Sequence, residues 1–182
     1  MDSLTGQLLV ASPALLDPNF HRTVVLIAQH DDEDGAMGLV LNRPSDLEVS
    51  GAAPMLNDLV EPEALVHTGG PVQPTAVLIL GEFEERAAAG VLIFGDVGFV
   101  AGDANFEELA PKLNRARVFA GLAGWSPGQL EAELEREDWI LEPAHVDDVF
   151  TEEPDALWSD VLERKGGSFA LVARMPPDPS LN

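Results

Sequence analysis

Apolar residues in this chain come in short runs of branched side chains, and glycine marks most of the breaks between them. Leu8 to Ala11, Val24 to Ala28, Met37 to Leu41, Leu65 to Val66, Val77 to Leu80, Val91 to Phe94, Val118 to Ala120 and Phe169 to Ala173 are too short for self-sufficient helices and read as buried strands. Gly69-Gly70-Pro71, Gly81, Gly90 and Gly95 punctuate them. Between the second and third runs, Asp34-Gly35 supplies the positive-φ position of a tight turn, so a hairpin is expected there. A chain built this way must fold around a sheet.

Three helices complete the pattern. The first is expected from about Phe106 to Leu113 with Asn105 as cap. The second starts at Ser126, where Ser126 as cap, Pro127 at the first helical position and Gln129 at the third make a capping box. The third spans Pro154 to Lys165, with Leu157, Trp158, Val161 and Leu162 on one face and Gly166 as its stop. At 182 residues the chain suits one well-buried domain and is short for two. The expected architecture is α+β: a mixed, largely antiparallel and strongly curled β-sheet of six or so strands with helices packed outside, as a single domain over 1–182. Pro176, Pro177 and Pro179 make residues 175–182 a flexible tail in this reading.

Gly124-Trp125-Ser126-Pro127-Gly128 is a literal G-x-S-x-G between a strand and a helix, the string of a serine-hydrolase nucleophile elbow. The elbow needs the N–H of the residue after the serine as an oxyanion donor, and here that residue is proline. The only histidine downstream is His145, too near for the acid and base that should follow on later strands. Ser126 therefore reads as a helix cap, and no catalytic residue is assigned.

Metals and nucleotides fare no better. With no cysteine, disulfides, thiolate metal sites and cysteine nucleophiles are excluded. His21, His30, His67 and His145 contain no i, i+4 pair, so no metal site is assigned. The acidic turn around Asp32 and Asp34 fails as a calcium loop, because the matching register puts His30 at the first ligand and Leu41 at the last. No glycine-rich phosphate loop occurs, and no cofactor is expected.

Charge is the extreme property of the chain. Ten Lys and Arg stand against 32 Asp and Glu, a net −22 shared evenly between the two halves. Proteins that bind duplexes place cations on phosphates, so direct nucleic-acid contact is not expected. No apolar run approaches the length that spans a bilayer and the N-terminus has no basic region, so the reading is cytoplasmic with no membrane association.

Polar residues cluster at strand ends: Asp17-Pro18-Asn19-Phe20-His21-Arg22-Thr23 before one run and Asn42-Arg43-Pro44 after another. Arg22 and Arg43 are expected as ion-pair partners, with Asp17 the nearest candidate, while loops at the mouth of a sheet are also where ligands bind.

These stretches carry a resemblance. LLVASPALLDPNFHRTVVLIAQHDDEDGAMGLVLNRP, Gly69-Gly70-Pro71-Val72, AGWSPGQLEAEL, Trp139 and LWSDVLERKGG together resemble the AlgH/YqgE family of bacterial proteins across nearly the whole chain. The chain departs from that pattern at Leu122, where an aromatic is common, and at Ser126, a position often filled otherwise. The resemblance implies a small cytosolic α+β domain without an assigned chemistry, whose alginate-related name led to the label of transcriptional regulator. Such a regulator would act through an unknown protein or small-molecule partner. The expected function is thus non-enzymatic binding or regulation, with Asn19, Arg22, Thr23, Asn42, Arg43, Trp125 and Gln129 lining any shared site. A hydrolase with an unrecognised constellation and a direct DNA-binding regulator are the alternatives.

Overall fold

The structure is a computed structural model describing residues 2–177. In chain order it holds β1 (Gln7–Ala11), β2 (Val24–Asp31), β3 (Gly35–Val40), β4 (Pro44–Glu48), a short helix α1 (Val49–Ala52), β5 (Leu65–Thr68), the long β6 (Val72–Phe83), β7 (Val91–Phe94) and β8 (Val97–Phe99). Then follow α2 (Phe106–Leu109), β9 (Leu113–Trp125), α3 (Gln129–Glu135), β10 (Trp139–Pro143), α4 (Val146–Val149), α5 (Pro154–Lys165) and α6 (Phe169–Val172). The fold is α+β. Strands run in the order β10-β1-β2-β3-β9-β6-β8-β7, and β4 and β5 form an antiparallel side pair joined through β5 to β9. Every pairing is antiparallel except β5 on β9.

β9 organises this sheet. Its 13 residues pair with β6 along most of their length and with β3 at the end, Ala36 facing Trp125. Burial on both faces explains why the sequence shows continuous apolar runs instead of alternation. Leu8, Val10, Leu26 and Leu39 face one cluster with Trp158 and Val161 of α5, whereas Leu9, Val25, Ile27 and Val40 face another with Leu130 of α3, Trp125 and Trp139. Ile93 and Val97, from the far end of the strand order, share the first cluster with Leu8 and Leu26. The sheet therefore curls, bringing Phe94 against Gly6, where an added Cβ would lie 3.1 Å from the Phe94 Cβ.

Two main-chain crossings need glycine. At Gly121 (φ +78°) a Cβ would run into the Gly70 carbonyl oxygen, so the chain just after β5 crosses β9 backbone to backbone. Gly35 (φ +88°) closes the β2–β3 hairpin under the Trp125 carbonyl.

Several expectations hold in detail. The hairpin forms at Gly35, α5 covers Pro154–Lys165 with Gly166 as stop, and the Asn105 side chain accepts the Glu108 N–H. Three corrections are needed. Phe169 to Ala173 is not a strand: Gly166 and Gly167 (φ +79° and +59°) turn the chain back, and the run packs as α6 against α5. A short apolar run cannot be told from a buried helix by periodicity. The first helix ends at Leu109 and tightens into a 3-10 turn containing Pro111, so Leu113 opens β9 instead of closing the helix. The strand count exceeds six or so, because β4, β8 and β10 carry weak patterns. Of the expected tail, Met175 and Pro177 accept hydrogen bonds or contacts at their carbonyls from Arg22 and His21, and 178–182 lie outside the described residues.

Candidate functional site

The polar residues at the strand ends form a clasp around the β1–β2 loop. Arg43, just beyond β3, donates from Nη1 to the Asn19 carbonyl (2.7 Å) and from Nη2 to the His21 carbonyl (3.0 Å). Asn42 bridges the same joint, with Nδ2 donating to the Arg22 carbonyl and Oδ1 accepting the Val24 N–H. Thr23 is fully buried and donates its hydroxyl to the Phe20 carbonyl at 2.8 Å. Arg22 sits at φ +56°, a left-handed conformation costly for a side-chain-bearing residue. Its guanidinium reaches the Met175 carbonyl at 2.9 Å and lies 4.0 Å above the Trp158 ring.

These arginines take carbonyls where carboxylates were expected. Asp17 holds the Asn19 N–H in its own turn, and near Arg43 it only offsets the lowering of that arginine's pKa by burial. Burial also lowers the pKa of Arg22.

Asn19, Arg22, Thr23, Asn42 and Arg43 thus converge. Trp125 joins them indirectly, its ring centroid 6.3 Å from Phe20 in a cluster with Trp139. Gln129 does not join them: it belongs to the joint before α3. Beside the clasp a cavity of about 360 Å³ is bounded by Pro13, Leu16, Arg22, Trp158 and Met175. A smaller one of about 60 Å³ is lined by Asn19, Arg43, Thr68, Gly70 and Pro71.

At the G-x-S-x-G joint, α3 begins at Gln129 after Gly128 (φ +81°), two residues later than the capping-box reading placed it. Half of that box forms. Gln129 Oε1 accepts the Ser126 N–H at 3.0 Å, while the Ser126 hydroxyl donates to the same oxygen at 3.2 Å and caps no N–H. No histidine approaches Ser126 by hydrogen bond: His145 serves as the cap of α4.

A second cluster escaped sequence reasoning. Where β5 and β9 run parallel, a cleft of about 290 Å³ is lined by Glu61, Glu63, His67, Arg117 and Glu152. Arg117 donates from Nη1 to the Val149 and Thr151 carbonyls. His67 is 6% exposed and packs on Phe119, and its side chain has one hydrogen bond among the described residues, from Nδ1 to the Leu65 carbonyl at 3.3 Å. Burial first and the Arg117 charge second hold its pKa down to about 4, against the Leu65 hydrogen bond. In the tautomer that donates from Nδ1, the neutral ring presents an Nε2 lone pair. Among the described residues, no group of three His, Asp or Glu could hold a metal. The overlooked signal was Arg115-Ala116-Arg117: at strand spacing, i and i+2 put both cations on one face.

Fold and clasp define a class: a small α+β domain with a curled, mostly antiparallel sheet whose first loop is held by an arginine from the β3–β4 joint. Residues 8–170 match the AlgH-like family, and the chain belongs to it. The UPF0301 protein SCO2948 of Streptomyces coelicolor is 45% identical over 188 aligned positions, spanning 100% of this chain and 97% of the relative. A UPF0301 protein of Thermobifida fusca is 42% identical, spanning 99% and 96%. The crystal structure of protein DIP2367 from Corynebacterium diphtheriae superposes with a TM-score of 0.86 at 29% identity, covering 95% of this chain and 92% of that one. The solution structure of the AlgH protein from Pseudomonas aeruginosa gives 0.70 at 29% identity, covering 96% and 95%.

Proposed function

We propose that this chain is a non-enzymatic, cytoplasmic binding protein, and that any part it plays in transcription runs through a protein or small-molecule partner without contact to DNA. The observation that carries this reading is the use of the motif side chains. Arg43, Asn42 and Thr23 direct their polar atoms to main-chain groups of the chain itself, which shapes a loop and leaves little for chemistry. Loops fixed on a rigid sheet are where ligands bind, and the cavity beside Arg22 and Trp158 is the site we assign to Asn19, Arg22, Thr23, Asn42 and Arg43 as its frame. Trp125 braces that frame through Phe20, and Gln129 holds the α3 joint.

The cations argue in the same direction. Among the described residues, Arg22, Arg43, Arg86, Lys112, Arg115, Arg117, Arg136, Arg164 and Lys165 are each engaged by carboxylates, carbonyls or rings of the chain. No basic stripe is left to follow a phosphate backbone. No helix among the described residues is long and apolar enough to cross a membrane.

A screen of small apolar compounds, read by the Trp158 indole resonance and by Tm, tests the cavity. A ligand that moves both in the wild type and neither in Leu16→Glu supports the assignment, Leu16 being an exposed residue at the cavity lip. Labelling of Ser126 by a fluorophosphonate, lost in Ser126→Ala, would overturn the non-enzymatic reading, and a gel shift at low salt would overturn the indirect one.

A further inference from the structure

β10 closes one end of the sheet and, among the described residues, pairs with β1 alone. Which of its main-chain groups face outward follows from parity. Ser12 donates to the Asp138 carbonyl and Ala144 donates to the Gly6 carbonyl, at the two ends of a register in which Val10 faces Ile140. In an antiparallel ladder, residues that exchange hydrogen bonds alternate with residues that do not. Asp138, Ile140, Glu142 and Ala144 therefore point their N–H and C=O at β1, and Trp139, Leu141 and Pro143 point theirs away from it.

Half of this outer edge is blocked. Pro143 has no N–H, its carbonyl accepts from Arg164 Nη2 at 3.3 Å, and the Leu141 carbonyl accepts from Lys165 Nζ at 2.7 Å. Proline and lysine on an edge are standard protection against unwanted strand pairing. The other half is open: the Trp139 N–H, the Trp139 C=O and the Leu141 N–H have no hydrogen-bond partner among the described residues.

A cavity of about 540 Å³ lies at this open half. Leu134 and Glu137, around the end of α3, form one wall, and Lys165 and Phe169, from α5 and α6, form the other. Those helices pack on opposite faces of the sheet, Leu130 with the Leu9 cluster and Leu162 with the Leu8 cluster. The space between them is accordingly the continuation of the sheet and not a hollow over one face. It has the position of a missing strand with apolar cover above and below.

Charge describes the occupant. The cavity itself is lined by one acid and one base, Glu137 and Lys165, while the whole chain carries −22. A second copy of the chain would add an equal negative charge, so self-pairing is opposed. The same net charge favours a cationic strand.

We infer that the free edge of β10 at Trp139 and Leu141 is a docking site for an extended, net-basic segment of another protein, which adds there as a further strand with apolar side chains at alternate positions. The segment takes hydrogen bonds from the Trp139 and Leu141 N–H groups and gives one to the Trp139 carbonyl. Its side chains fall alternately toward Leu134 and toward Phe169. This surface is separate from the cavity beside Arg22, and either can fail without the other.

The test uses the full chain, labelled with nitrogen-15, and a synthetic decapeptide alternating valine and lysine. A control peptide is N-methylated at two adjacent central residues, which removes a donor from each of its edges. The unmethylated peptide should shift the Trp139 and Leu141 amides and slow their exchange, leaving the Trp158 indole unmoved. The methylated control should bind about fivefold or more weakly, the factor one hydrogen bond supplies. Leu141→Pro, tolerated because the lost N–H points off the edge, should weaken the peptide similarly. Lys165→Ala frees the Leu141 carbonyl and should tighten it. Equal binding of the two peptides, shifts confined to other residues, no shift at millimolar peptide, or a self-associated chain that protects both amides without peptide would each overturn the inference.

Discussion

The clasp at the β1–β2 loop and the cleft between β5 and β9 are both held by an arginine that donates to main-chain carbonyls, and they differ in what remains. Arg43 uses both terminal nitrogens on the Asn19 and His21 carbonyls, and its neighbours Asn42 and Thr23 are equally committed. Arg117 uses Nη1 alone, beside a neutral His67 and three carboxylates at an open cleft. A guanidinium has five donors, so the clasp is nearer to completion and the cleft keeps capacity. Recognisable motif residues thus mark the part of the molecule that is built for shape. Unfilled polar capacity lies where the sequence drew no attention.

The harshest way to break the comparison is to remove the element both regions share. Thr68 and Gly70 line the small clasp cavity, His67 lines the cleft, and the crossing of Gly70 with Gly121 fixes their strand against β9. In Gly121→Val a β-branched side chain must adopt φ +78° and displace a carbonyl, so a loss above about 4 kcal/mol is expected. Urea melts of soluble protein would check it; a variant as stable as the wild type would mean that the two regions are not coupled through this crossing.

Acid separates the regions next. The folded-state pKa of His67 is depressed to about 4 from 6.5, so the unfolded chain takes up a proton first as pH falls. The contribution is fully present above pH 6.5, declines between 6.5 and about 4, and amounts to at most about 3 kcal/mol. His67→Gln should flatten this part of the stability profile. Arg117→Met should raise the His67 pKa back toward its ordinary value, as imidazole NMR titration would read, because one of the two causes of the depression is gone. No such limb is expected from the clasp, where Arg22 and Arg43 stay charged throughout this range. An unshifted His67 titration would erase the electrostatic distinction of the cleft.

Arg43→Met tests the clasp alone. It leaves the Asn19 and His21 carbonyls without their charged donor, and a cost of about 2 kcal/mol is expected. The more telling reading is local: amides of residues 17–23 should exchange faster, while those around His67 keep their wild-type protection. Uniform acceleration across both regions would show one cooperative unit and dissolve the contrast.

How much of this was legible depends on what each residue answers to. Strands buried on both faces announced themselves as apolar runs, and α5 did so through its stripe and Gly166, since both signals are local. β10 has no local signal: Trp139-Ile140-Leu141 is strand only because β1 lies beside it, and Phe169 to Val172 is helix only because α5 does. The convergence of Asn19, Arg22, Thr23, Asn42 and Arg43 could be anticipated from their position at strand ends, but not their partners. Carbonyls carry no signature in a sequence, so arginines in so acidic a chain pointed to carboxylates. His67 and Arg117 meet only through the parallel pairing of β5 with β9, across some fifty residues of chain.

The smallest effect is expected where the sequence string was sharpest. Ser126 has one side-chain contact, a 3.2 Å donation to Gln129 Oε1, and that oxygen keeps the shorter bond from the Ser126 N–H when the hydroxyl is removed. Ser126→Ala should therefore change stability by less than about 0.5 kcal/mol, the range of surface substitutions that orphan no buried group. Gln129→Ala removes the acceptor itself and should cost more, by an amount in the range of a lost cap. The two melts, taken together, decide what the joint is for. A Ser126→Ala variant that costs as much as Gln129→Ala would give the hydroxyl a structural task, and one that abolishes fluorophosphonate labelling would give it a chemical one. With Pro127 supplying no N–H, the joint holds the start of α3 against Trp125 and has no oxyanion donor at the position where an elbow needs it.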